Sequence, residues 1–196
     1  KSLEMSELIT LLFNYVKLDS EGFELKKERT NITELILQIV AGAYADIEAA
    51  GMKLDIDIPE EAGYAEIDRV QFSRAFMNLI TNATKHNEAG TNIRISMKKN
   101  LGDWVIKVMD SGEKINPALV TQLFDPFVMG DESRNSRGGS GLGLSVSKKV
   151  IEMHGGKLFL EQPTEENYTK AFCIWIRQQD AWAYEYEQNK VAKSEE

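Results

Sequence analysis

One cysteine, two histidines and four prolines in 196 residues leave little room for several chemistries. With Cys173 alone there is no intramolecular disulfide and no thiolate metal cluster, which suits a reducing compartment. Its setting in AFCIWI reads as strand core. His86 and His154 fall in separate helical patterns with no HxxxH or Cys/His grouping around them, so zinc is not indicated. No GxSxG elbow marks a serine nucleophile, no GxxxxGK[ST] a Walker-type loop, and GGSGLGLS fails GxGxxG because Leu144 stands where the third glycine belongs. No apolar run has the length of a membrane helix, and no basic-then-apolar leader opens the chain. Positive charge is short as well: 23 Lys and Arg face 31 Asp and Glu, for a formal net charge of −8, and the cations are scattered. A nucleic-acid partner needs a basic stripe and is not expected.

What is present suffices for one substantial core, with 42% hydrophobic residues. Leu3, Leu8, Leu11, Leu12, Tyr15 and Leu18 recur at helical spacing until Asp19 to Gly22 break the pattern, so the chain opens inside an amphipathic helix and is expected to continue upstream of Lys1. Phe23 to Lys27 reads as a short strand. Thr30 and Asn31 cap a helix with apolar positions Ile32, Leu35, Ile36, Ile39 and Tyr44, running to Gly51. Strands come next at Lys53 to Ile58 and Tyr64 to Ile67, and Asp68 opens a helix to about His86 that buries Phe72, Phe76, Leu79 and Ala83. Thr91 to Lys98 and Trp104 to Met109 form a hairpin across Asn100 to Asp103. A further helix to about His154 stops at Gly155 and Gly156, and strands at Lys157 to Glu161 and Ala171 to Arg177 complete the set. The expected class is α+β: a two-layer sandwich, its mixed, largely antiparallel sheet covered by helices on one face. The tail from Gln178, with Trp182, Tyr184 and Tyr186, reads as a docked helix or a linker.

Three features carry chemistry. Gly138 to Ser145 precedes a helix, where glycine backbone can crowd an anion and the first free amides point out at the positive end of the helix dipole. In NLITNATKHN, Asn78, Asn82 and Lys85 share one helical stripe apart from the buried face. An asparagine carbonyl can ligate Mg²⁺ beside water and phosphate, and a lysine can meet phosphate as a point charge; a merely solvated face is the other reading. The alternation of Trp104, Ile106 and Val108 turns Asp110 coreward, where a carboxylate needs donors such as an adenine amine, unless it only starts the DSG turn.

Taken in order, NLITNATKHN, VMDSGEKI, LFDPFVMGDESR and GGSGLGLSVSKKVIEMHGG resemble the asparagine, first glycine, phenylalanine and second glycine boxes of sensor histidine kinases, with the ATP-binding fold shared by gyrase, Hsp90 and mismatch-repair ATPases. The opening FNYVKLDSEGFEL is similar to the end of the kinase dimerisation hairpin. The resemblance implies three parts: residues 1–22 as the stub of that hairpin, 23–177 as the catalytic ATP-binding domain, and 178–196 as a tail. By position it implies Asn82 as Mg²⁺ ligand with Asn78 beside it, and Lys85 and His86 near phosphates and sugar. It implies Asp110 as the adenine reader, with Gly112 and Ile115 in the same box, Phe124 and Phe127 as anchors of a lid, and Arg134, or else Arg137, as the lid's phosphate-facing residue. Gly139, Ser140, Gly141, Leu142, Gly143 and Leu144 resemble the amide cradle of the second glycine box. Asn78, Lys85 and Arg134 are the candidate catalytic residues.

The cofactors implied are ATP and Mg²⁺, and the partners are ATP, the protein's own dimerisation domain in a homodimer, and a response regulator. The implied location is cytoplasmic, in a parent anchored in the cell membrane. The related hydrolases carry a glutamate four residues before the metal asparagine; Asn78 stands there instead, and an amide cannot act as a general base, which favours transfer over hydrolysis. Two positions depart from the pattern. Lys114 replaces the second glycine of DxGxG, where positive φ is expected, and YTKAF offers Thr169, out of register, and Lys170 in place of a small residue and threonine behind the aspartate. These motivate the alternative of a degenerate domain acting as scaffold or partner-binding module.

Overall fold

The computed structural model describes residues 22–128, 141–162 and 167–179, with residues 9, 12, 13, 15–18, 20 and 164 besides. Residues 9, 12, 13 and 15–18 are helical; Leu18 is buried in the core, whereas Ile9, Leu12, Phe13 and Val16 are exposed. The strand expected at Phe23 to Lys27 forms a few residues later, as β1 (Glu28–Asn31). Its position is set by pairing, because β1 lies antiparallel to β3 (Tyr64–Ile67) with Glu28 opposite Ile67 and Asn31 opposite Tyr64. Asn31 closes this strand and also caps α1 (Ile32–Ala49), accepting from the Glu34 amide at 3.2 Å. The inward stripe of α1 is Ile32, Leu35, Ile36, Ile39, Val40, Ala43 and Ile47; Tyr44, expected on it, is 52% exposed.

The main sheet runs β2 (Lys53–Asp57), β4 (Asn92–Asn100), β5 (Asp103–Asp110), β7 (Lys170–Ile176), β6 (Lys157–Glu161). Only β2 and β4 are parallel; the other neighbours are antiparallel. β4 and β5 turn over two residues, Leu101 and Gly102, both at positive φ. On one face α2 (Arg69–Lys85) packs between α1 and α4 (Gly143–Met153), and a single cluster runs from Phe72, Phe76 and Leu79 through Ile93, Ile95, Trp104, Ile106 and Val108 to Ile151 and Ile174. The other face holds a small cluster of Met109, Ala171 and Cys173 against Phe159 and Tyr168, with Lys107 and Glu161 paired at 2.7 Å. A short turn of helix, α3 (Pro117–Val120), comes after β5. Among the described residues no helix is long and apolar enough to cross a membrane.

Candidate functional site

The α2 helix is fixed at its start by Asp68, and the fastening involves three separate pieces of chain. One carboxylate oxygen accepts from the Gln71 amide at 3.0 Å and the other from the Lys26 amide at 3.0 Å. The Asp68 amide donates to His154 Nε2 at 2.9 Å, while His154 Nδ1 sits 2.7 Å from the Val150 carbonyl. That arrangement requires the Nδ1–H tautomer of a neutral ring. Burial lowers the His154 pKa below its ordinary value, against the opposing pull of the Val150 carbonyl. His154 is thus a structural tie between α4 and α2.

At the far end of α2 the chain meets the end of β5. Asp110 is 1% exposed and accepts from the Gly112 amide at 3.0 Å, and Gly112 needs to be glycine for closeness: a side-chain carbon there would stand 1.7 Å from Asn87 Oδ1. Asn87 Nδ2 in turn donates to the Ala83 carbonyl of α2 at 2.8 Å. Asn82, on the same helix, is half-buried; its carbonyl accepts the His86 amide at 3.1 Å, and among the described residues nothing hydrogen-bonds its side-chain amide. Lys85 and His86 are exposed at the helix end.

Mid-helix, Asn78 Nδ2 donates to Ser147 Oγ at 2.9 Å, and Gly143 packs so tightly on the Asn78 amide that a side-chain carbon would come within 2.6 Å of its Oδ1. Gly143 thus brings the start of α4 against α2. Leu142 is buried, Leu144 is half-buried against the core, and the Gly141 carbonyl accepts from the Phe127 amide at 2.9 Å. Both residues of that clasp lie at φ 65°. Phe124 makes an edge-to-face contact with Phe172 at 6.3 Å under the Lys148 ammonium, whereas Phe127 is exposed. Arg134, Arg137, Gly139 and Ser140 lie outside the described residues. The outer faces of α2 and α4 also frame a mostly apolar groove of about 490 Å³, lined by Ile39, Arg74, Met77, Asn78, Val146 and Val150 among others; Asp110 and Asn82 do not line it.

Both departures in the sequence have a structural answer. Lys114 is not among the residues at positive φ, so its side chain brings no backbone strain. The loop it occupies is held by Gln162, which accepts from the Ile115 amide at 3.0 Å and donates to the Ile115 carbonyl at 2.9 Å. Thr169, expected out of register, does reach the site: its amide donates to the Asp110 carbonyl at 2.9 Å and its hydroxyl lies within reach of the Asp110 and Gly112 carbonyls. The carboxylate itself is met by Lys170, whose Nζ is 2.6 Å from Asp110 Oδ1. Gln162, Asn87 and Lys170 are the site residues that sequence reasoning missed or left without a role. Only Lys170 had a signal, a lysine heading an otherwise apolar strand.

The donor set is compatible with Mg²⁺. Among the described residues no group of three His, Cys, Asp or Glu is available for a metal. An unengaged Asn82 side-chain carbonyl therefore suits a hard cation that takes its remaining ligands from phosphate and water.

Comparison with known proteins agrees with this frame. The profile of the "Histidine kinase-, DNA gyrase B-, and HSP90-like ATPase" family matches residues 67–180. Sensor histidine kinase YcbM of Bacillus subtilis is 28% identical over 178 residues, covering 90% of this chain and 57% of its own length. Sensor protein kinase WalK of Staphylococcus epidermidis is 30% identical over 158 residues, covering 79% of this chain and 26% of its own. The chain thus spans between about a quarter and just over half of these two relatives. The solved catalytic domain of histidine kinase ThkA superposes with a TM-score of 0.67 at 25% identity, over 79% of this chain and 97% of that one. With that profile spanning more than half of its length and a histidine kinase catalytic domain sharing its architecture, the chain belongs to the histidine kinase-, DNA gyrase B- and HSP90-like ATPase family.

Proposed function

We propose that this chain is the ATP-binding catalytic domain of a two-component sensor histidine kinase. It supplies the γ-phosphoryl group of ATP to a histidine on a dimerisation domain upstream of Lys1, within a homodimer, and that histidine passes the group to an aspartate of a response regulator. The parent protein is anchored in the cell membrane with this domain in the cytoplasm, residues 1–22 are the end of the dimerisation hairpin, and 178–196 form a tail. The observation that carries the reading is the buried Asp110 carboxylate, set beside a glycine with no room for a side chain and tied through Asn87 to the helix that bears the unengaged Asn82 amide.

In this reading Asp110 accepts from the adenine amine, and the close approach at Gly112 lets the ring lie near backbone. Lys85 and His86 meet phosphate and sugar, Arg134, or else Arg137, meets phosphate, and the residues from Gly139 to Leu144 supply backbone amides to the phosphates. Asn82 would hold Mg²⁺, which when bound offsets phosphate charge. Phosphoryl transfer asks mainly for positioning and charge neutralisation, which such a cradle provides. Asn78 cannot take a proton from water, and its amide is already engaged by Ser147.

Calorimetric titration of a non-hydrolysable ATP analogue tests this. Binding should be strengthened by Mg²⁺ in the wild type and become independent of Mg²⁺ in Asn82→Ala. Absence of binding at millimolar nucleotide would replace the kinase reading with that of a scaffold, and steady phosphate release by this chain alone would replace it with a hydrolase.

A further inference from the structure

Lys170 has no part in the nucleotide scheme, yet it is among the most heavily engaged side chains of the site. It opens β7 and is 6% exposed. A lysine at that depth persists only when its charge is matched and its protons are satisfied. Here all three are: the ammonium lies 2.6 Å from Asp110 Oδ1, 3.2 Å from Asn87 Oδ1 and 2.5 Å from the Glu113 carbonyl. Those acceptors belong to the end of β5, the turn after α2 and the loop leaving β5. One cation therefore fastens three walls of the site, and with three donors spent it has none to offer a ligand.

For Asp110 the consequence is lopsided. The Gly112 amide and Lys170 both fall on Oδ1, so Oδ2 is the oxygen left to face a base. We infer that Lys170 is a positioning residue for nucleobase selection. It locks the Asp110 carboxylate in one orientation, as an acceptor with a single open oxygen. An oxygen held that way welcomes a base bearing an exocyclic amine and repels one bearing a carbonyl at the same place, since two acceptors then meet without a proton between them. This inference rests on the proposed nucleotide-binding role of the site.

The test compares the affinities of the whole 196-residue chain for a non-hydrolysable ATP analogue and for its inosine counterpart, in which a carbonyl replaces the amine. Wild type should prefer the adenine form. Lys170→Met should lose about tenfold of that preference, because the carboxylate is freed to turn, whereas loss of general stability alone would weaken both nucleotides equally. An unchanged ratio in Lys170→Met overturns the inference and leaves the nucleotide reading intact. Failure of wild type to bind either nucleotide overturns the nucleotide reading and this inference with it. Should Lys170→Met not fold, Lys170→Ala, which keeps Asp110 and leaves room for water beside its carboxylate, is read by the same ratio, and an unchanged adenine preference there also overturns the inference.

Discussion

Leu101 shows how far a single residue can stand from its preferred conformation without touching function. It is fully exposed, at φ 53°, in the two-residue turn of the β4–β5 hairpin. A left-handed backbone disfavours a leucine, and its side chain regains nothing by packing. Asparagine tolerates that conformation and favours such turns when a glycine occupies the next position, as Gly102 does here. Leu101→Asn should therefore stabilise the fold by about 1 kcal/mol, measured by chemical denaturation, with nucleotide affinity unchanged. A destabilised variant would mean that the turn is not of this type. Gly112 is the opposite case, where the constraint lies beside the chemistry: the missing side chain makes room for Asn87.

Among the elements, the joint between α4 and α2 has a consequence in pH. His154 is neutral in the fold because burial depresses its pKa, and it accepts the Asp68 amide through Nε2. In the unfolded chain the ring takes up a proton near pH 6.5. The stability that His154 contributes is therefore complete above about pH 6.5 and is lost as pH falls toward the lower, folded-state value. Thermal midpoints measured from about pH 7.5 down to about 5.5 should fall more steeply for wild type than for His154→Gln, which cannot titrate; parallel curves would remove His154 from the joint. Legibility in the sequence also divides at this scale. The helices and the hairpin are readable because apolar spacing of about 3.6 and 2 residues is local, and Asp68 and Asn31 announce their caps. β1 is displaced from its expected place because its partner, β3, is remote in the chain, so pairing and not pattern sets it. The sequence marks Lys170 as a lysine heading an apolar strand but hides its role for the same reason: its acceptors, Asp110, Asn87 and Glu113, are all distant in the chain. Asp110 itself could be read, since strand alternation alone turns it inward.

Across the whole molecule, one hydrophobic cluster joins α1, α2 and α4 to the main sheet. Helix content tracked by far-ultraviolet circular dichroism and tryptophan fluorescence measured with Trp175 and Trp182 replaced by Phe, so that the buried Trp104 alone reports, should therefore show one coincident thermal transition; two separated transitions would contradict a shared core. A nucleotide at about a hundredfold excess over its Kd adds about 2.7 kcal/mol to the folded state, which for a chain of this size raises the midpoint by roughly 5–10 °C.

The rims of the main sheet bear on how such a protein behaves in a crowd. Its outermost strand on one side, β2, carries Lys53, Asp55 and Asp57 in the open, with Asp55 gripped by Arg94 at 2.6 Å and Asp57 by Lys98 at 3.0 Å, and β6 on the other side begins with exposed Lys157. A foreign strand arriving at β2 would have to lay its own side chains beside these charges and strip water from them. The sheet terminates itself, so many copies gathered in a small area can stay dispersed instead of knitting edge to edge.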